Sequence, residues 1–272
     1  MPLFTRRHAL CGLAALFGGK HAHARYSVSS EPPDSTREPT SSFREKIVGG
    51  ELTTFEEHPW QVELNIEGDG YSVICGGAVI GARWILTAAH CVAGATAKHV
   101  QAIVVDGVSL DVVEIIVHEK YKHDEERQKE YPPAHDLALV RVHSTRPAAV
   151  IRLATPTTQI PIGKELIVTG KGKTEDRESS DQLREGKVPY VDNETCSRKY
   201  DGILPGMMCA GKENGGPDSC QGDSGGPLIK RDSQGKAILV GITSWGEGCG
   251  TTYGLYTRVS HYYEWIMKHT GD

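Results

Sequence analysis

Apolar and polar residues follow one another in short runs along most of this chain, and the longest run alternates strictly. In Trp60-Gln61-Val62-Glu63-Leu64-Asn65-Ile66 every second position is apolar, which sends one face of an extended strand inward and the other to water. Shorter apolar runs follow at Val79-Ile80, Trp84-Ile85-Leu86, Ile103-Val104-Val105, Val112 to Val117 and Leu137 to Val142. A second series occupies Glu165 to Thr169, Gly186 to Val191, Met207-Met208-Cys209, Pro227 to Ile229, Ile238 to Trp245 and Leu255 to Val259. Gly and polar turns separate them, and no repeat at solenoid spacing stands out. The pattern predicts an all-β fold. Only the end reads as a helix, with Ser260 placed to cap a turn running through Tyr262, Tyr263, Trp265 and Ile266.

The first part of the chain breaks the pattern in two ways. Arg6 and Arg7 precede an apolar run from Ala9 to Phe17 and then Ala22-His23-Ala24, the charged, apolar and small-residue parts of a secretory signal. We expect residues 1–24 to be such a signal, cut after Ala24. The apolar run is too short to span a bilayer, so no membrane anchor is expected. Thr5-Arg6-Arg7-His8-Ala9-Leu10 also fits a twin-arginine signal, against which an ordinary basic start is the simpler reading. Residues 25–46 hold six serines, three prolines and four charges of each sign, with almost no large apolar residue. Such a segment has too little to bury to order itself.

A chain of 272 residues, 38% of them hydrophobic, can bury a core as one large unit or two. Residues 47–272 carry 23 Lys and Arg against 31 Asp and Glu, a net charge of −8. That balance argues against a nucleic-acid partner and weakly favours basic substrates. Of seven cysteines, Cys11 falls in the signal, leaving Cys75, Cys91, Cys196, Cys209, Cys220 and Cys249. Six cysteines in an exported chain read as disulfides, with fifteen pairings open. There is no C-x-x-C pair to favour zinc.

Three short stretches carry chemistry: Thr87-Ala88-Ala89-His90-Cys91, His135-Asp136-Leu137-Ala138-Leu139 and Gly222-Asp223-Ser224-Gly225-Gly226-Pro227. A serine hydroxyl is a poor nucleophile near neutral pH. It needs an imidazole to take its proton and a carboxylate to hold that imidazole in the right tautomer. Gly222 to Gly226 also satisfies the G-x-S-x-G elbow of α/β-hydrolases, but their order is Ser, acid, His. Here the order is His90, Asp136, Ser224, and over Ile47 to the C-terminus the chain resembles the trypsin-like serine proteases of the chymotrypsin type.

That resemblance implies two six-stranded antiparallel β-barrels with a C-terminal helix, residues 47–155 forming the first barrel and 156–272 the second, with the site in the cleft between them. It implies a secreted serine endopeptidase, periplasmic if the source is bacterial. His90, Asp136 and Ser224 would be the catalytic residues and the Gly222 and Ser224 N–H groups the oxyanion hole. Asp218, at the base of the primary pocket, would select Arg or Lys, with Gly246 and Gly254 keeping its walls open. Ser244 would support Asp136. The implied disulfides are Cys75–Cys91, Cys196–Cys209 and Cys220–Cys249. Residues 25–46 would be a propeptide removed by cleavage after Lys46. The new Ile47 ammonium would then pair with Asp223, holding below its raised pKa and fading as pH climbs through it. The expected partners are protein or peptide substrates and protein inhibitors, for a monomer without cofactor or metal. An inactive homologue serving as a binding module is the rival, and such relatives usually lose a triad member.

Several positions depart from the family pattern. Only Gly250-Thr251-Thr252-Tyr253 separate Cys249 from Gly254, with Tyr253 in place of proline; Tyr there accompanies sodium binding in some relatives, but the loop is short. Val92 to His118 lacks the paired acidic residues of the family's calcium loop. Lys171, between Gly170 and Gly172, stands where the family usually has Trp. Glu119 to Glu130 reads as a solvated charged loop, Lys171 to Lys187 as a basic stretch open to self-cleavage, and Asn193-Glu194-Thr195 as a glycosylation sequon.

Overall fold

The computed structural model describes residues 50–68, 71–122, 132–172, 182–216, 223–246 and 250–271. Six strands close the first barrel in the order β2-β3-β4-β7-β6-β5, where β2 is Gln61–Gly68, β3 Tyr71–Gly81, β4 Trp84–Thr87, β5 Val100–Ile103, β6 Ser109–Val117 and β7 Ala138–Val142. A second ring joins β9 (Glu165–Gly170), β10 (Arg184–Val191), β11 (Met207–Ala210), β14 (Gly254–Arg258), β13 (Ala237–Trp245) and β12 (Pro227–Arg231), returning to β9. Both are antiparallel and closed, which leaves no free sheet edge around either ring. The short strands β1 (Glu51–Leu52) and β8 (Arg152–Leu153) both pair with the second ring, β1 on β10 and β8 parallel to β13. The chain therefore touches the second barrel before it builds the first.

Alternation in β2 does what period two requires. Val62, Leu64 and Ile66 are buried while Glu63 and Asn65 face outward. Leu86, Leu139 and Val140 of the first barrel belong to one contiguous buried cluster with Leu166, Val168, Leu228, Ile229 and Leu239 of the second. The two rings thus share a core rather than sitting side by side. A smaller cluster around Cys196, Tyr200, Met207 and Cys209 lies beneath a short helix, α2 (Asn193–Cys196), which is capped by Asp192 accepting from the Thr195 N–H.

Most predicted strands lie within the observed ones, with differences at their ends. Val104 and Val105 do not extend β5. The chain turns through Val105–Gly107 with Asp106 at φ 62° and Gly107 at φ 69°, and the Val104 N–H donates to the Val108 carbonyl. Asp-Gly is a strong turn signal, and it overrides the apolar run before it. The C-terminal helix α3 (Tyr263–Thr270) starts later than expected: Ser260 lies in the 3₁₀ turn Val259–His261, and Tyr262 precedes the helix without a side-chain cap. Tertiary packing anchors it instead. Ile266 is fully buried, and the Trp265 indole N–H donates to Glu119 at 2.8 Å, so the end of the chain returns to the first barrel. No helix among the described residues is long and apolar enough to cross a membrane.

Leu139, on β7, is fully buried within this shared core. Leu139→Ala should lower unfolding stability by about 2–5 kcal/mol, measured by urea denaturation, with a single unfolding transition retained.

Candidate active site

His90 sits in the one-turn helix α1 (Ala89–Val92), directly after β4, where the Cys75–Cys91 disulfide pins the turn to β3. Asp136 arrives from the loop leading into β7. The Asp136 carboxylate takes two hydrogen bonds from one residue: the His90 backbone N–H donates to Oδ1 and the His90 ring Nδ1 to Oδ2, both at 2.8 Å. Ser244, on β13 of the other barrel, donates its hydroxyl to Oδ2 at 2.6 Å. Burial alone would push the carboxyl pKa up, but the His90 charge and these donors hold it below the usual aspartate value. For His90 the same opposition runs the other way. Desolvation penalises the imidazolium, and the Asp136 charge and hydrogen bond outweigh that and raise its pKa. With Nδ1–H committed to Asp136, Nε2 is left as the basic nitrogen.

The backbone around Asp136 is held as firmly as its carboxylate. His135 adopts φ 57°, a left-handed conformation rare for a residue with a side chain. Its ring stacks on His118 at 4.9 Å between centroids, and its Nδ1 lies 3.0 Å from the Tyr262 hydroxyl. Burial pushes the Tyr262 pKa up to about 12 and lowers that of His135. Both shifts favour the neutral forms of the two groups where they meet. From the second barrel, the Thr257 hydroxyl donates to the Asp136 carbonyl at 2.6 Å. Sequence reasoning overlooked His135, Tyr262 and Thr257. His135 had the one available signal, its place beside Asp136.

Ser224 lies on the turn between the fully buried Asp223 and Gly225. Its carbonyl accepts from the Gly76 N–H at 2.7 Å, and the Cys91 sulfur lies 3.5 Å from that carbonyl and 3.7 Å from His90 Nε2. One disulfide thus brings the imidazole and the serine segment together. Both its sulfurs are bonded to each other, so Cys75 and Cys91, though close to His90, offer no thiolate to a metal. The turn packs backbone against backbone. A Cβ on Gly76 would lie 2.6 Å from the Gly226 Cα, and Gly225 is at φ 80° against Thr87 and Gly76. The Asp223 carboxylate accepts from the Gly172 N–H at 2.7 Å.

Other expected residues divide between those the structure places and those outside its described range. Gly246 and Gly254 face one another, a Cβ on the first falling 3.9 Å from the Cα of the second. Cys196 and Cys209 form the second disulfide. Lys46, Ile47, Asp218, Cys220, Gly222 and Cys249 lie outside the described residues. Tyr253 is buried, and its carbonyl accepts from the Tyr200 hydroxyl. In the sequon, the Asn193 amide is already engaged: it donates to the Leu204 and Met207 carbonyls and accepts from Arg258. Lys171, the departure from family pattern, forms an ion pair with Glu63 at 3.0 Å.

The family model described as Trypsin matches residues 47–266. The chain is 38% identical over 246 residues to Transmembrane protease serine 11C of Mus musculus, covering 83% of this chain and 54% of that protein. It is 36% identical over 250 residues to Coagulation factor XI of Bos taurus, covering 85% and 39%. Transmembrane protease serine 7 of Mus musculus is 36% identical over 250 residues, covering 85% and 29%. The chain therefore spans about half or less of the length of these curated relatives.

Acyl transfer through Ser224 with His90 as base would have the following consequences. The base must be neutral, so turnover should rise with pH through an apparent pKa above the ordinary histidine value of about 6.5. The stability contribution has the opposite sense: the raised His90 pKa stabilises the fold fully below about 6.5 and is lost as pH climbs through the folded value. Asp136→Asn should move the rate limb to lower pH and cut kcat by on the order of 10⁴, read from a pH–rate profile. Gly76→Ala should displace the Ser224 turn, costing about 1–3 kcal/mol of stability and on the order of 10²-fold in kcat, compared by urea unfolding and steady-state kinetics.

Proposed function

The chain belongs to the trypsin family of serine proteases, and on that footing we propose that residues 47–272 act as a secreted endopeptidase cutting after Arg or Lys through an acyl-enzyme on Ser224. The observation that carries this reading is the His90–Asp136 pair, bonded twice across 2.8 Å and supported from the opposite barrel by Ser244. His90 Nε2 accepts the Ser224 hydroxyl proton as the oxygen attacks the scissile carbonyl, and returns it to the leaving amine. Asp136 stays ionised and stabilises the imidazolium between those two steps. Water then repeats the sequence to release the acid. The Gly222 and Ser224 N–H groups receive the developing oxyanion.

Selectivity for a basic side chain is assigned to Asp218. A carboxylate at the base of a narrow slot favours a cation and penalises an apolar group that leaves it unpaired. Gly246 and Gly254 suit this assignment, because a glycine puts no side chain of its own in the path of a long substrate residue. Protein inhibitors that present Arg or Lys in the same way would bind there too.

Activation is read as cleavage after Lys46, removing residues 25–46 once the signal 1–24 has gone. The new Ile47 ammonium would reach Asp223, whose buried position suits a cation. Propeptide and mature chain share no disulfide in this scheme, so the propeptide would dissociate.

The test is hydrolysis of paired fluorogenic peptides, with Arg or Phe at the cleaved position, by protein trimmed to begin at Ile47. Strong Arg preference, abolished in Ser224→Ala and reduced by about 10² or more in Asp218→Ser, is the expected result. Phe preference would remove the role of Asp218. No turnover by folded, trimmed protein would make the chain a binding module.

A further inference from the structure

Asp223 is held by a loop in which only one residue of three can carry an anchoring side chain. β9 ends at Gly170, and Gly170-Lys171-Gly172 wraps the Asp223 carboxylate so closely that a Cβ on either glycine would fall on it; at Gly172 the separation from the carboxyl carbon would be 2.6 Å. Both positions are thereby confined to glycine, the least conformationally restrained residue. The Gly172 N–H that reaches Asp223 at 2.7 Å therefore depends on something else to fix the loop. Among the described residues of this loop, Lys171 is the one that carries a side chain.

Its side chain crosses to the other barrel. Lys171 Nζ lies 3.0 Å from Glu63 Oε2 and 5.4 Å from the centre of the Phe55 ring. Lys171 and Glu63 are 26% and 17% exposed, so water screens this pair less than a free surface pair. Glu63 is well placed to act as the fixed end. It sits inside β2 directly opposite Gly76 on β3, and Gly76 donates its N–H to the Ser224 carbonyl. The first barrel therefore grips the serine turn from one side through Gly76 and from the other through Glu63, Lys171, Gly172 and Asp223. A narrow slot beside Lys171 is lined by Phe55, Gln61, Ile74 and Leu183.

We propose that Lys171 and Glu63 are positioning residues: their inter-barrel ion pair sets the Gly172 N–H against Asp223, and through Asp223 the turn that presents Ser224. The proposal rests on Ser224 as nucleophile for its effect on rate, but its structural half does not. Lys171→Met, Glu63→Gln, the double variant, Lys171→Arg and the exchange Glu63→Lys with Lys171→Glu are compared in protein trimmed to Ile47. An Arg–coumarin substrate, which has no residue beyond the cleaved bond, removes any direct contact of Lys171 with the leaving side. Each neutralising variant should lower kcat about fivefold with KM within about twofold, the double should be no worse than either single, and Lys171→Arg and the exchange should recover most of the loss. In the Ser224→Ala background, hydrogen exchange at the Gly172 and Gly226 amides should quicken in Lys171→Met, the latter because its partner is the Asp223 carbonyl.

Unchanged kcat with a lowered melting temperature would overturn the proposal and leave the pair a simple brace. So would additive losses, or faster exchange confined to Gly172. Absence of turnover in the unmodified protein would count against Ser224 as nucleophile, and the exchange measurement would still decide whether the pair positions the turn.

Discussion

A single buried carboxylate organises the space between the two barrels. Asp136 comes from the first barrel, yet it accepts from Ser244 of the second, and its backbone carbonyl accepts from Thr257 of the second. An ionised carboxylate out of water costs several kcal/mol unless its lone pairs are filled, and here two donors from His90 and one from Ser244 fill them. The requirement works in both directions. The carboxylate tolerates burial only when the barrels are docked, and His90 has a raised pKa and a defined tautomer only when the carboxylate is buried beside it. Fold and chemistry therefore depend on the same contacts.

Asp223 repeats the logic at the serine turn. Its carboxylate takes up the space that Cβ atoms at Gly170 and Gly172 would need, and its carbonyl accepts from the Gly226 N–H. Glycines at 76, 170, 172, 225 and 226 serve one purpose, close approach of backbone to backbone or to a carboxylate. Rigidity of such a turn cannot come from glycine itself, which has the largest freedom to lose. It comes from the neighbours: the Cys75–Cys91 disulfide, the Gly76 hydrogen bond and the Lys171–Glu63 pair. A loop held in this way presents its serine in a defined place without any apolar side chain of its own.

Much of this was legible in the sequence because the relevant physics is local. Period-two alternation located β2, whose Val62, Leu64 and Ile66 are buried, and short apolar runs located β6, β9, β10 and β13. The motifs around His90, Asp136 and Ser224 were readable because each carries its chemistry within a few adjacent residues. The errors were local competitions that pattern alone does not rank. Asp106-Gly107 ended β5 early, and packing of Ile266 and Trp265, rather than a cap at Ser260, anchored the last helix. β1 and β8, with two residues each, are too short to leave a periodic signal.

What the sequence determined by itself was the all-β class, the candidate reactive groups and their order along the chain, because alternation, residue type and spacing are properties of neighbours. What only the tertiary structure decided was which further distant groups meet around Asp136. Thr257 reaches its backbone carbonyl from 121 residues away, and Tyr262 meets His135 from 127. Lys171 illustrates the division most plainly. In the sequence it is a cation where an aromatic residue was expected; in the fold it is one half of an inter-barrel ion pair beside the serine turn. No spacing rule predicts that partnership, because closure of two separate barrels, not the chain between them, brings Glu63 within 3.0 Å.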